Sequence, residues 1–203
     1  PSSAASDVYK RQMLRSIPNV GRKFWTMFIV DAINGNPDRN NGNWGVLRDG
    51  DSLSYAPLYD NGNALNSKYS DVQLSECLED SARFKALAYS GFRCFFTEDE
   101  KRINPFYYLE SGISPAATEA LLGMDLNYNP NSIIDDLDIS DVRKEFYKKM
   151  YTVRYAELRR IKDMLTDTLA DEELAMWEQL PESLRAGYTG SRKELLRDLS
   201  KWR

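Results

Sequence analysis

Histidine is absent from all 203 residues of the chain. That absence rules out Ser-His-Asp and Cys-His nucleophile systems, and every His-ligated metal site, within it. Acid–base chemistry therefore falls to carboxylates, with Lys, Tyr or Cys as lesser candidates. Cysteine is nearly as scarce. Cys77 and Cys94 form neither a CxxC pair nor a disulfide framework, and no activating base lies near them in sequence. They read as reduced thiols of a cytoplasmic protein. No apolar run approaches the length of a bilayer span and no secretory pattern opens the chain, so no membrane partner is expected. Positive charge is not in excess either: 27 Lys and Arg face 31 Asp and Glu, a net charge of −4. Direct binding to nucleic acid is accordingly not expected.

What is present suits one sizeable core, with 42% hydrophobic and 12% aromatic residues. The stretch Ser2–Gln12, "SSAASDVYKRQ", matches the translation of a transposon adapter used in preparing sequencing libraries. The expectation is a non-native tail over 1–12 and one domain over 13–203, the remaining part of a longer protein. Arg22 to Ile33 is apolar on most sides and predicts a buried helix, stopped by Gly35 and Pro37. Trp44 to Leu47 and Ser52 to Tyr59 predict two strands around Asp49-Gly50. A polar, irregular segment should then run to about Glu76. Beyond it the pattern is helical. Pieces are expected over Asp80–Tyr89, from Glu98 to Ile103, and from Ser114-Pro115 to Leu122. A long helix capped by Ser140 should reach about Leu169, followed by Asp171–Leu180 and Ser191–Trp202. Its stripe is Val142, Phe146, Met150, Val153, Leu158, Ile161 and Leu165. The fold expected is mostly α with a small β-hairpin.

The loop "NGNPDRNNGNWG", residues 34–45, lies between the buried helix and the hairpin. Phosphoryl transfer requires an acidic residue beside the attacking hydroxyl and hard oxygen ligands for Mg²⁺ on the nucleotide phosphates. Protein kinases supply these with an Asp, an Asn five residues later, and a further Asp in an Asp-x-Gly turn. Asp38 and Asn43 have that spacing, and Asp60-Asn61-Gly62 supplies the turn. Taken alone, the hexamer 38–43 reads as a hydrophilic turn closed by Asx-type hydrogen bonds. The helix, hairpin and Asp-x-Gly together favour the kinase reading.

The segments "FWTMFIVDAINGNPDRNNGNWGVL" and "YAPLYDNGNAL" resemble the catalytic core of HipA-like serine/threonine kinases, which share a broader pattern with phosphatidylinositol-type kinases. "KRIN" and "RKEFYKKMYTVRYAEL" extend the resemblance more loosely. It implies the C-terminal lobe of a protein-kinase-like α+β fold. Asp38 would orient or deprotonate the substrate hydroxyl, and Asn43 and Asp60 would hold Mg²⁺ and, through it, ATP. The implied partners are a protein substrate with a Ser or Thr hydroxyl and an antitoxin-like inhibitor, as in toxin–antitoxin relatives. Asn40 stands where that family usually has histidine; an amide keeps a hydrogen bond but cannot titrate. No glycine-rich phosphate loop or strand lysine precedes the helix, so the ATP-cradling lobe is expected to be missing and the isolated lobe inactive.

Two rivals remain. A calcium loop beginning at Asp38 would put Asn43 in place of the required glycine and Asp49 in place of the bidentate Glu. A non-catalytic pseudokinase or interaction module of the same fold would accommodate Asn40. Other features read as structural. Arg143, Lys144, Lys148, Lys149, Arg154, Arg159, Arg160 and Lys162 form a solvated helix face. Tyr107, Tyr108 and the tryptophans form core or interface packing. Asp135-Asp136-Leu137-Asp138 precedes a helix start.

Overall fold

The structure is a computed structural model that describes residues 18–40, 42–93 and 102–180, apart from the side chains of 18–20, 174 and 177. The adapter-like tail, Cys94, the start of the helix expected at Glu98 and the helix expected over Ser191–Trp202 lie outside the described residues. The chain divides into two compact units, residues 1–161 and 162–203.

In the first unit, helix α1 (Pro18–Asn34) buries Met27, Phe28, Ile29 and Ala32. It packs against strand β2 (Ser52–Tyr55) and helices α4 (Pro105–Glu110) and α5 (Pro115–Leu122). Trp25 stacks on Tyr108 at 5.7 Å between ring centres, and Phe28 meets Phe92 edge-on at 5.0 Å. The end of α1 follows from two demands on one glycine. Gly35 takes φ +60, and the Asn36 N–H returns to the Asp31 carbonyl at 2.9 Å, a helix-closing pattern that a left-handed residue allows. A Cβ at Gly35 would also lie 2.3 Å from the Arg154 guanidinium.

Strand β1 (Val46–Asp49) pairs antiparallel with β2, Val46 opposite Tyr55 and Asp49 opposite Ser52. Gly50 has φ +58 at the first central position of the two-residue turn, where glycine is favoured. The hairpin is therefore real but shifted: Trp44 precedes β1, and β2 ends at Tyr55 rather than Tyr59. Ala56 still donates to the Gly45 carbonyl at 2.9 Å. Pro57, without an N–H, takes no further part in the ladder.

A second core lies between α2 (Asp71–Glu79), α3 (Ser81–Ala88) and the first half of α7 (Asp141–Glu178), built from Leu74, Cys77, Phe84, Ala88, Phe146 and Met150. Local capping fixes these ends. Ser70 and Gln73 form a reciprocal capping box on α2, and Asp80 accepts from Ala82 and Arg83 to start α3. Asn104 and Ser114 cap α4 and α5, each followed by proline at the first helical position. The Arg143 N–H donates to the Ser140 hydroxyl at 3.3 Å, as expected of the cap of α7.

Several expectations change. The irregular segment ends at Ser70, because the capping box begins α2 there. Arg102 and Ile103 are not helical; the helix begins at Pro105. A short helix α6 (Asn131–Asp136) contains part of the acidic run, and Asp135 pairs with Lys148 instead of charging a helix N-terminus. Helix α7 runs unbroken to Glu178, absorbing the piece expected at Asp171. Tyr107 is exposed, against the core reading. Arg154 is 1% exposed rather than part of a solvated face. Its guanidinium donates to the carbonyls of Ile33, Leu87 and Ala88 at 3.1–3.4 Å, where α1 and α3 end. Burial pushes its pKa down to about 10, which still leaves it charged at neutral pH. In the second unit, α7 continues, with Thr166 and Thr168 bonded to carbonyls four residues earlier.

Candidate active site

Loop 34–45 is organised by its own short side chains. The Asp38 N–H donates to the Asn36 side-chain oxygen at 3.4 Å, and the Gly42 N–H donates to that of Asn40 at 2.7 Å. The Asn43 N–H reaches the Asn40 carbonyl at 3.0 Å, and its side-chain Nδ2 reaches the Asp38 carbonyl at 2.9 Å. Asx-type closure and the Asp38–Asn43 spacing thus coexist in one turn. With Nδ2 fixed on Asp38, the opposite end of the Asn43 amide presents Oδ1. A calcium loop fits poorly here, since Asp49 lies at the end of β1 opposite Ser52.

Arg39 binds this loop to everything around it. Its guanidinium grips Asp31 of α1 through two bonds, Nε to Oδ2 at 2.8 Å and NH2 to Oδ1 at 2.9 Å. NH1 donates to the Asn43 carbonyl at 2.9 Å and to the Tyr59 carbonyl, and NH2 donates to the Asn61 side-chain oxygen. The Asp31 carboxylate raises the Arg39 pKa, against the opposing effect of burial. Asn36 supplies a further donor to Asp31 at 3.1 Å, so this buried acid is well satisfied.

These bonds bring the three sequence-predicted residues into one neighbourhood. Asp38 adjoins Arg39, the Asn43 carbonyl rests on Arg39, and Asp60 lies between Tyr59 and Asn61, both held by the same guanidinium. The Tyr59 hydroxyl adds a bond to the Gly42 carbonyl at 2.8 Å. Asp60 itself is exposed and takes φ +55, a left-handed conformation uncommon outside glycine. Asp38 is half-buried, and the Asn63 side chain donates to its Oδ2 at 3.2 Å.

Among the described residues no group of three or more Asp, Glu, Cys or His side chains could hold a metal ion. An oxygen set of Asp60 and Asn43 fits Mg²⁺ in another way, because that ion usually takes one or two carboxylates, water and substrate phosphates. Sequence reasoning missed Arg39, Asp31 and Asn63. One signal was available: Asp31 is a lone acid inside an apolar helix, which calls for a buried partner.

No family model matches the chain. It is similar to a kinase. The Serine/threonine-protein kinase CtkA of Helicobacter pylori (strain J99 / ATCC 700824) is 34% identical over 143 residues, 66% of this chain and 44% of that protein. The chain therefore spans less than half the length of this relative. The crystal structure of the H. pylori proinflammatory kinase CtkA superposes with a TM-score of 0.65 at 29% identity, covering 72% of this chain and 53% of that one. The mostly helical architecture with one two-stranded sheet is thus similar to part of a kinase fold, and the likeness supports a kinase-like function in general terms. No helix among the described residues is long and apolar enough to cross a membrane.

Proposed function

We propose that this chain is the catalytic lobe of an ATP- and Mg²⁺-dependent serine/threonine protein kinase of the HipA-like kind. It would act in the cytoplasm together with a phosphate-cradling lobe. The observation that carries the reading is the Arg39 clamp, which ties the Asp38–Asn43 loop to the Asp60 turn across 20 to 22 residues of sequence. Asp38 accepts the proton of a Ser or Thr hydroxyl, or holds that hydroxyl in line, while Asn43 and Asp60 would be the residues that hold Mg²⁺ when ATP is bound. The bound ion supplies charge neutralisation as the γ-phosphoryl leaves. The protein substrate and an antitoxin-like inhibitor are its proposed partners.

Asn40 favours a second reading. Where the resembled family has a titratable histidine, this neutral amide is engaged in shaping the loop through Gly42. A pseudokinase that keeps the fold as an interaction module would tolerate that exchange. The readings separate in one assay, in which the parent protein containing both lobes is incubated with Mg²⁺ and γ-labelled ATP. Phosphotransfer that falls at least about 100-fold in both Asp38→Ala and Asp60→Ala supports the kinase. Undiminished transfer in the variants removes the assignments, and absence of transfer in the unaltered parent favours the pseudokinase.

A further inference from the structure

Asn63 lies three residues beyond Asp60, at the entrance to a single 3₁₀ turn over Ala64–Asn66. Asparagine at such a position ordinarily turns its side-chain oxygen onto the backbone of the helix it begins. Asn63 makes no such capping bond. Its amide instead reaches back 25 residues to the Asp38 carboxylate, Nδ2 to Oδ2 at 3.2 Å. The direction of that bond is fixed by chemistry. An ionised carboxylate only accepts, so the amide must present its nitrogen.

The backbone around Asn63 is itself held in an uncommon state. Asp60, Leu65 and Asn66 have φ of +55, +53 and +55, and for a branched side chain such as Leu65 this conformation is a true outlier. Conformations of this kind persist only where surrounding contacts impose them. Here those contacts include the Arg39 bonds to Tyr59 and Asn61, the Tyr59 hydroxyl on the Gly42 carbonyl, the Ser67 hydroxyl on the Gly62 carbonyl, and the Asn63–Asp38 bond. All of these but the Ser67 bond fasten the turn to the loop, and among them only the Asn63 bond ends on a candidate catalytic atom.

We propose that Asn63 is a positioning residue for phosphoryl transfer, acting through Asp38. Its bond occupies Oδ2 and fixes the rotation of the carboxylate, which leaves Oδ1 to accept the hydroxyl proton of the substrate. This proposal rests on the kinase reading above.

The informative substitution is Asn63→Asp, which keeps the shape and turn preference of asparagine but removes the donor and sets a second carboxylate against Asp38. In the parent kinase, kcat should fall about 10- to 100-fold in both Asn63→Ala and Asn63→Asp, at least as far in the latter, with KM for ATP and the melting temperature little changed. A purely structural asparagine would be replaced by aspartate without loss, so wild-type kcat in Asn63→Asp overturns the proposal. A second readout needs no activity. In ¹⁵N spectra of this chain at one neutral pH, the Asn63 side-chain amide signals should stand apart from those of a solvent-exposed asparagine and move towards them in Asp38→Ala. Signals indifferent to Asp38 also overturn it. If Asp38→Ala retains full activity while the Asn63 signals follow Asp38, the bond stands and the kinase reading is what fails.

Discussion

Two arginines, each 1% exposed, anchor two neighbourhoods of the first unit in opposite ways. Arg39 faces a carboxylate, and its bonds with Asp31 join an apolar helix to an otherwise polar loop. Arg154 has no carboxylate partner among the described residues and instead gathers the carbonyls that close α1 and α3. The partial negative charge of two helix C-termini replaces a formal one. The comparison teaches where specificity is needed. On the Arg154 side, Phe84 and Ala88 pack with Phe146 and Met150 in an apolar core that would hold α3 on α7 without the charge. On the Arg39 side, Phe24 and Met27 of α1 pack with Trp44 and Tyr55 to hold the hairpin, but Leu58 and Tyr59, which lead to the Asp60 turn, are exposed. The Asp60 turn is thus held mainly by directional bonds, two of them from Arg39, which fix geometry as well as proximity.

Removing each guanidinium should expose the difference. Arg39→Met leaves Asp31 buried without its counter-ion and should lower unfolding free energy by about 3–5 kcal/mol in urea titration. Arg154→Met keeps the apolar stem and leaves carbonyls, not a charge, unsatisfied, so its cost should be about 1–3 kcal/mol. Equal costs, or a larger one for Arg154, would break the comparison.

A smaller effect sharpens it through pH. Tyr55, stacked on Trp44 at 5.8 Å, donates to the Met27 sulfur at 2.9 Å, and burial raises its pKa well above the ordinary value of 10. The folded chain keeps this proton where the unfolded chain loses it. The stabilisation is intact below about pH 10 and declines as pH rises further, by up to about 1.4 kcal/mol per pH unit. Tyr55→Phe should lack that component. Thermal melts between pH 9 and about 11 should therefore show a shallower decline for the variant than for the unaltered chain.

The closeness of Asp38, Asn43 and Asp60 was readable because an Asp followed by an Asn five residues on, and an Asp-x-Gly turn after a hairpin, leave a local pattern. Arg39 was not, because its partners at 31, 59 and 61 are set by folding rather than by adjacency. Arg154 was misread for a related reason. A helical wheel assigns faces but does not see two other helices ending against one of them. Helix α6, with only "NSIIDD" to mark it, is too short to establish a period. The start of α2 is a different kind of miss: Ser70-x-x-Gln73 is a capping-box signature that stood in the sequence, obscured by the polar segment before it. The length of α7 shows the converse, since "TLADEEL" contains neither glycine nor proline to stop the helix.

Paramagnetic broadening by Mn²⁺, standing in for Mg²⁺, tests the central claim most directly when ¹⁵N spectra of this chain are recorded with ATP present. Broadening should centre on the Asn43 side-chain amide and the backbone amides of Asp60, Asn61 and Gly62, and disappear in Asp60→Asn. Broadening that is indifferent to Asp60, or that gathers instead at Asp135–Asp138, would contradict a metal site built from these residues.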